Sequence, residues 1–218
     1  MSAFFVLMSG AWSDADSHLC RPLLGSRTGR PPLLPWVAIA RGVSGGGYDL
    51  VGRDGLTAAD ARGFVAEATS HLDACARSWQ VAATSGFLFF KRPSMVRPIV
   101  AQPPGATPEP MDDLSSEQIL NPKALAEAGA SLRSQELLVV IPKRGWMLAL
   151  AGRAGEFPRM MVANQAASGV FGRAGKDALS PYAFFTSGGR LTGANVLEGS
   201  SGFMHLAAPD EAGWLVPS

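Results

Sequence analysis

Apolar residues recur every three or four positions between Thr57 and Trp79, the spacing that lines one face of an α-helix. Thr57 is a good N-cap, and Asp60 follows three positions later, as in a capping box. The sequence therefore predicts an amphipathic helix over this stretch. The residues on its apolar face are Ala61, Phe64, Val65, Ala68, Leu72, Cys75 and Trp79.

Two further stretches indicate helices. One covers about 115–128, where Asn121 caps a break, Pro122 begins a new helix, and Gly129 is a natural stop. The other runs from Phe157 to Phe171, again with a helical period.

Short runs rich in apolar and β-branched residues predict strands. The best pair, 137–141 and 146–151, is apolar on both faces, which is typical of central strands that are covered on each side. Pro98 cannot donate to a ladder, so its strand should lie at an edge or carry a bulge. The predicted strands cover 36–40, 48–51, 86–90, 95–100, 137–141, 146–151, 182–185 and 191–197, with turns at 92–94, 142–145 and 188–189.

The predicted elements repeat in the order helix, then hairpin, three times. Hairpins of successive units would pair, and helices would cover a face of the resulting sheet. We therefore expect an α+β fold, an antiparallel sheet of β-hairpins with helices packed on it. The expected parts are an irregular Pro-containing arm at 1–35, an N-terminal α+β part at 36–101, a Pro-rich linker at 102–113, a C-terminal α+β part at 114–199, and a loosely held tail at 200–218.

Composition narrows the function classes. The 218 residues are 47% hydrophobic and 17% charged, and the net charge of +1 lacks the basic excess of nucleic-acid binders. No apolar window is long enough for a transmembrane helix. Two cysteines are too few for a disulfide framework, which favours the cytoplasm. Met1–Met8 is a short apolar run without a charged start, so a degenerate secretion signal is the remaining alternative.

No motif with catalytic or metal chemistry is visible. His71 and Cys75 are four residues apart and could face one metal ion, but Cys75 belongs to the apolar helix face and a third ligand is missing. The Gly172–Asp177 loop resembles a phosphate loop only superficially, because its spacing is wrong and Asp177 replaces the hydroxyl residue. We expect no cofactor and no metal, and the catalytic residues stay unknown.

Basic residues gather at two predicted hairpin turns. If the two turns lie side by side, their side chains form a small surface for an anion or a partner, to which a neighbouring tryptophan adds an interface anchor. The simpler interpretation is that these are solvated residues protecting apolar strands. The candidate binding residues are Lys91, Arg92 and Arg97 at one turn, and Lys143, Arg144 and Trp146 at the other.

Part of the chain is similar to a known family. The runs that carry the resemblance are Ser116–Asn121, Glu136–Pro142 and Met147–Ala151, followed by Ser180, Phe184-Phe185 and Gly189–Leu191. In this order they resemble the YtpQ-like family of uncharacterised bacterial proteins over about 114–199. The resemblance implies a fold, and it supplies no activity or catalytic residue.

Three hypotheses about function follow. The first is a non-catalytic cytoplasmic binding or regulatory module that acts through protein association, with a partner protein or a second copy, and without nucleic acid or membrane. The second is an enzyme whose site converges only in the fold, with candidates near Asn121, Arg144, Asn164 and Ser180. The third is a secreted form, if Met1–Met8 is a signal.

Overall fold

A computed structural model describes residues 3–25, 32–44, 47–82, 95–100, 114–195 and Trp214. Within these residues the chain forms an α+β fold with three α-helices and two antiparallel sheets, of four and six strands. The helices are α1 (Ala58–Ala74), α2 (Pro122–Leu132) and α3 (Phe157–Phe171). The strands are β1 (Ala3–Met8), β2 (Cys20–Pro22), β3 (Trp36–Gly42), β4 (Tyr48–Leu50), β5 (Arg77–Ala82), β6 (Met95–Val100), β7 (Glu136–Lys143), β8 (Trp146–Ala151), β9 (Ala183–Ser187) and β10 (Arg190–Asn195).

The six-stranded sheet consists of three hairpins, β5–β6, β7–β8 and β9–β10, and the first strand of the first hairpin is Arg77–Ala82. Its order is β10-β9-β7-β8-β6-β5, and each hairpin follows its own helix along the chain. The prediction of helix–hairpin units on an antiparallel sheet is confirmed. The strands β7 and β8 are central, and Leu137 to Ile141 are all nearly inaccessible to water, as expected for strands covered on both faces.

Pro98 lies on β6, an internal strand of the sheet, at a position where β6 pairs with β5 only. β6 pairs with β5 along its length and with β8 only through Met95 and Val96. The missing N–H of Pro98 therefore interrupts no ladder with β8, which explains why this strand tolerates a proline.

The four-stranded sheet was not expected. β3 lies at its centre and pairs with β1, β2 and β4, and the β1 register runs from Ala3 opposite Arg41 to Met8 opposite Trp36. The prediction of an irregular arm at 1–35 is wrong for the described residues, because Leu7, Leu24 and Leu34 are fully buried. The apolar run of β1 finds its partner far along the chain, which local patterns do not reveal.

Trp214 is the one residue of the range 200–218 that the structure describes. For this residue the expectation of a loosely held tail is wrong. Its ring stacks on Phe5, with 5.9 Å between ring centroids, and the Arg21 guanidinium lies 5.1 Å from the indole centroid. Only 7% of Trp214 is exposed. It is therefore part of the core beside the four-stranded sheet.

The boundaries of α1 differ from the prediction at one end. The capping box is confirmed, since the Asp60 amide donates to Thr57 Oγ1 (3.1 Å) and Asp60 Oδ2 accepts from the Thr57 amide (3.0 Å). The helix ends at Ala74, however, and Trp79 lies on β5 opposite Pro98. The extension of the helix to Trp79 is wrong, because that tryptophan reaches the core from a strand.

The break before α2 is confirmed. Asn121 caps the helix through Oδ1, which accepts from the amides of Lys123 and Ala124, and Pro122 begins it. Gly129 does not stop the helix, which continues to Leu132 and ends at Arg133 in the left-handed conformation. Gly129 is needed for a close approach, because a Cβ there would lie 2.5 Å from the Ser134 carbonyl oxygen.

Three apolar clusters form the interior of the described part of the chain, and the two larger ones lie on opposite faces of the six-stranded sheet. On one face of the six-stranded sheet, Leu138, Val140 and Phe185 pack against α3. The opposite face shares a larger core with the four-stranded sheet, α1 and α2. That core includes Leu137, Val139, Ile141 and Phe184 from one sheet and Phe5, Leu7 and Ile39 from the other. α1 packs on β1, so it covers the second sheet rather than the first.

Several predictions fall on residues outside those described, namely the strand at 86–90, the turn at 92–94 and the linker at 102–113. None of the helices within the described ranges has both the length and the apolar character that crossing a membrane requires.

Replacing Leu7 with alanine should lower the free energy of unfolding by about 2–5 kcal/mol, the usual cost of truncating a buried leucine. Urea denaturation of Leu7→Ala measures the loss. The matched control is Val43→Ala, which truncates a residue that is 37% exposed and should change stability by at most about 0.5 kcal/mol. Equal stability of both variants and the parent would show that the N-terminal segment is a dispensable arm.

Gly189→Ala should destabilise the protein more than Gly188→Ala. Both glycines have positive φ, 81° and 56°, so either alanine costs about 1–2 kcal/mol of backbone strain. Only at Gly189 would the new Cβ also lie 2.6 Å from the Pro122 carbonyl oxygen, whereas the space at Gly188 is open. Crowding adds about 1–3 kcal/mol, measurable by chemical denaturation. A smaller loss for Gly189→Ala would contradict the contact between this turn and the start of α2.

Candidate functional site

A cavity of about 600 Å³ lies where the two sheets meet, and we call it the basic pocket. Its walls come from strands β1, β4 and β6, from the turn between β7 and β8, and from two 3₁₀ segments, Ser116–Leu120 and Gly175–Asp177. Four cationic side chains line it, against two carboxylates and three aromatic rings. These are Arg97, Lys143, Arg144 and Lys176; Glu117 and Asp177; and Phe4, Tyr48 and Trp146.

The structure brings together most of the residues chosen from the sequence. Arg97 from one hairpin lines the basic pocket together with Lys143, Arg144 and Trp146 from the other. Lys91 and Arg92 lie outside the described residues. The premise that the two turns lie side by side concerns residues outside those described, and the role of these side chains in binding stays a prediction.

Lys176 and Glu117 were missed. Lys176 lies at the basic pocket because the 3₁₀ segment Gly175–Asp177 packs against the β7–β8 turn. There the Arg144 amide donates to the Asp177 carbonyl oxygen at 2.9 Å. A signal for Lys176 existed in the loop that superficially resembles a phosphate loop. Glu117 stood in one of the runs that resemble the YtpQ-like family, but nothing local distinguished it from an ordinary helical glutamate.

Arg144 is fixed as a bridge between the sheets. Its Nη1 donates to the Tyr48 hydroxyl (2.9 Å) on β4, and its Nη2 lies 3.0 Å from Met8 Sδ on β1. A guanidinium held at both ends loses little conformational freedom when a ligand approaches. Arg144 therefore contributes a preoriented positive charge to the basic pocket.

Glu117 is the one buried acidic residue within the described ranges, with 4% of its surface exposed. Its Oε1 accepts from the Leu7 amide of β1 (3.1 Å), and its Oε2 lies 2.7 Å from Ser116 Oγ. Ser116 Oγ in turn accepts from the Gly145 amide in the β7–β8 turn (3.0 Å). Burial raises the pKa of Glu117, opposed by the hydrogen bonds from Ser116 and Leu7 and by the charge of Arg144.

The electrostatic balance of the basic pocket is positive. Among the residues that the structure describes, neither Lys143 nor Lys176 forms an ion pair. One of the two carboxyl groups, Glu117, has a raised pKa and so a reduced tendency to carry charge. Unneutralised cations in a concave site favour an anionic ligand.

The scattered enzyme candidates do not converge. Asn121 caps α2, and its Nδ2 donates to the Leu72 carbonyl oxygen at 3.4 Å. Ser180 is buried and its Oγ accepts from the Tyr182 amide. Asn164 lies on α3. Of the four, only Arg144 lines the basic pocket.

His71 and Cys75 fit a structural role. Cys75 Sγ donates to the His71 carbonyl oxygen (3.3 Å), and the imidazole lies against Phe4, with 5.8 Å between ring centroids. Burial lowers the pKa of His71 and raises the pKa of Cys75, so both groups are shifted toward their neutral forms. Across the described ranges, no three His, Cys, Asp or Glu side chains come together as a metal site.

A second cavity, of about 910 Å³, lies at the start of α3. Its charged residues offset one another, since Arg159 Nε forms a 2.7 Å ion pair with Glu156, and Arg153 faces the same space as Glu136. It lacks the charge excess of the basic pocket, which is therefore the stronger candidate site.

Comparison with known proteins adds no relative, because no family model, curated protein or solved structure matches this chain significantly. The resemblance to the YtpQ-like family accordingly stays a prediction, and the case for a function rests on the geometry of the basic pocket.

Proposed function

We propose that this protein is a non-catalytic binding module that acts through protein association, and that the basic pocket receives an acidic segment of its partner. The observation that carries the proposal is the convergence of Arg97, Lys143, Arg144 and Lys176 around one cavity. Charge complementarity of this kind selects partners and speeds their association.

The walls of the basic pocket suit a peptide better than a bare ion. Trp146, Tyr48 and Phe4 add aromatic surface beside the cations. Tryptophan, tyrosine and arginine are the side chains that most often dominate the energy of protein interfaces. A segment with one or two carboxylates beside an apolar side chain would satisfy both parts of the site.

A cytoplasmic location accompanies this proposal. Cys20 and Cys75 are both buried thiols, and no disulfide joins them. Thiols that stay reduced are typical of proteins in reducing compartments.

Reversing two charges of the basic pocket should weaken capture of an acidic ligand. Lys143→Glu/Lys176→Glu should weaken binding of a pentaglutamate peptide at least tenfold, because like charges now face the ligand. Calorimetric titration at low and moderate salt measures the loss, and affinity of the parent protein should fall as salt rises. The matched control is Arg62→Glu, a reversal on the exposed surface of α1.

The same pair of variants tests the partner in cells that naturally produce the protein. A partner captured by the parent and by Arg62→Glu, but lost with Lys143→Glu/Lys176→Glu, supports the proposal. Equal peptide affinity of all three proteins would contradict it. If the captured partner is the chain itself, the elution mass will exceed the 22.8 kDa of the monomer.

An enzyme is the second candidate function, because a buried carboxyl group with a raised pKa beside a cavity is a common arrangement for a general acid. The reaction class is open. Incubation of the protein with a small-molecule extract tests this candidate. Turnover that is lost in Glu117→Gln would favour an enzyme over a binding module, provided that Lys143→Glu/Lys176→Glu still folds.

A further inference from the structure

Glu117 occupies an unfavourable position for a site that attracts anions, because its carboxyl group forms part of the wall of the basic pocket. We propose that an acidic ligand enters the basic pocket together with one proton, which Glu117 takes up. This inference rests on the proposed function and adds the way in which binding is regulated.

The hydrogen bonds around Glu117 are compatible with both protonation states. When Glu117 is ionised, the Ser116 hydroxyl donates to Oε2, and the Leu7 amide donates to Oε1. When it is protonated on Oε2, the new O–H donates back to Ser116 Oγ, which still accepts from the Gly145 amide. Glu117 keeps both of its partners in either state, whereas the Ser116 hydroxyl hydrogen gives up Oε2 as its acceptor on protonation, so the change is confined to this one hydrogen bond.

Electrostatics sets the direction of the linkage. An ionised Glu117 would repel the carboxylates of a ligand, whereas a neutral Glu117 would leave the cations unopposed. Burial already shifts the group toward its neutral form. An incoming anion favours that form further, so lower pH should strengthen binding and binding should consume protons.

Other charged and titratable groups face the same region, and they must be distinguished from Glu117. Lysine, arginine and tyrosine side chains do not normally change charge between pH 6 and 8, whereas histidine does. His71 is the group to control, since its protonation would also favour an anion and its ring contacts Phe4. The groups around the site are Tyr48, His71, Arg97, Lys143, Arg144, Lys176 and Asp177.

The test is calorimetric titration of the full chain with pentaglutamate between pH 6 and 8, in two buffers of different ionisation enthalpy. The number of protons taken up follows from the difference in heat. We expect uptake of up to one proton per ligand, and an affinity that rises by up to about tenfold for each unit of falling pH. Glu117→Gln should bind tightly throughout, with no uptake, because its amide donates to Ser116 Oγ as the protonated acid does.

Two matched variants locate the effect. Asp177→Asn removes the other carboxylate of the basic pocket, and it should raise affinity while the pH dependence remains. His71→Gln should also keep the pH dependence. Proton uptake that persists in Glu117→Gln, or that disappears in His71→Gln, would overturn the assignment to Glu117.

A direct measurement on the parent protein tests the inference even if Glu117→Gln fails to fold. Infrared difference spectra of the parent should show the carbonyl band of a protonated carboxyl group appearing when the peptide binds. Binding without this band and without proton uptake would overturn the inference and leave the proposed function standing. Absence of any peptide binding between pH 6 and 8 would overturn both.

Discussion

The buried carboxyl group of Glu117 is the constraint on which the junction of the two sheets depends. A carboxylate removed from water costs several kcal/mol unless hydrogen bonds and charges compensate it. Here compensation comes from the β1 backbone at Leu7, from Ser116, and from the charge of Arg144. Each of these partners belongs to a different part of the chain, so the carboxyl group is satisfied only when those parts have assembled.

The same contacts build the basic pocket. Ser116 links Glu117 to the backbone of the β7–β8 turn, and Arg144 reaches back from that turn to β4 and β1. The turn is therefore held by the four-stranded sheet through Arg144 and by the segment before α2 through Ser116. Its lysine and tryptophan are presented from a rigid central hairpin, the arrangement that keeps the entropy cost of binding low.

Local concentration of charge, rather than net charge, gives the site its character. The chain carries 19 basic and 18 acidic residues, which provide no overall field to attract a distant ligand. Four of the basic side chains nevertheless line one cavity, where Glu117 is shifted toward neutrality. A protein of nearly zero net charge can thus concentrate cationic side chains around one cavity.

The sequence by itself determined the repeating part of the fold. Helical and strand periods, the cap at Asn121 and the paired glycines at 188–189 act between near neighbours, so they specify the succession of three helix–hairpin units, although not the position of β5. It also predicted Arg97, Lys143 and Arg144 as candidate binding residues, since basic residues at turns stand out in a charge-poor chain. Tertiary structure alone decided the pairing of β1 with β3, the burial of Trp214, and the placement of Lys176 and Glu117 beside the β7–β8 turn. These features arise from contacts between residues distant in sequence, whose energy depends on burial and shared hydrogen bonds and leaves no periodic trace in the chain.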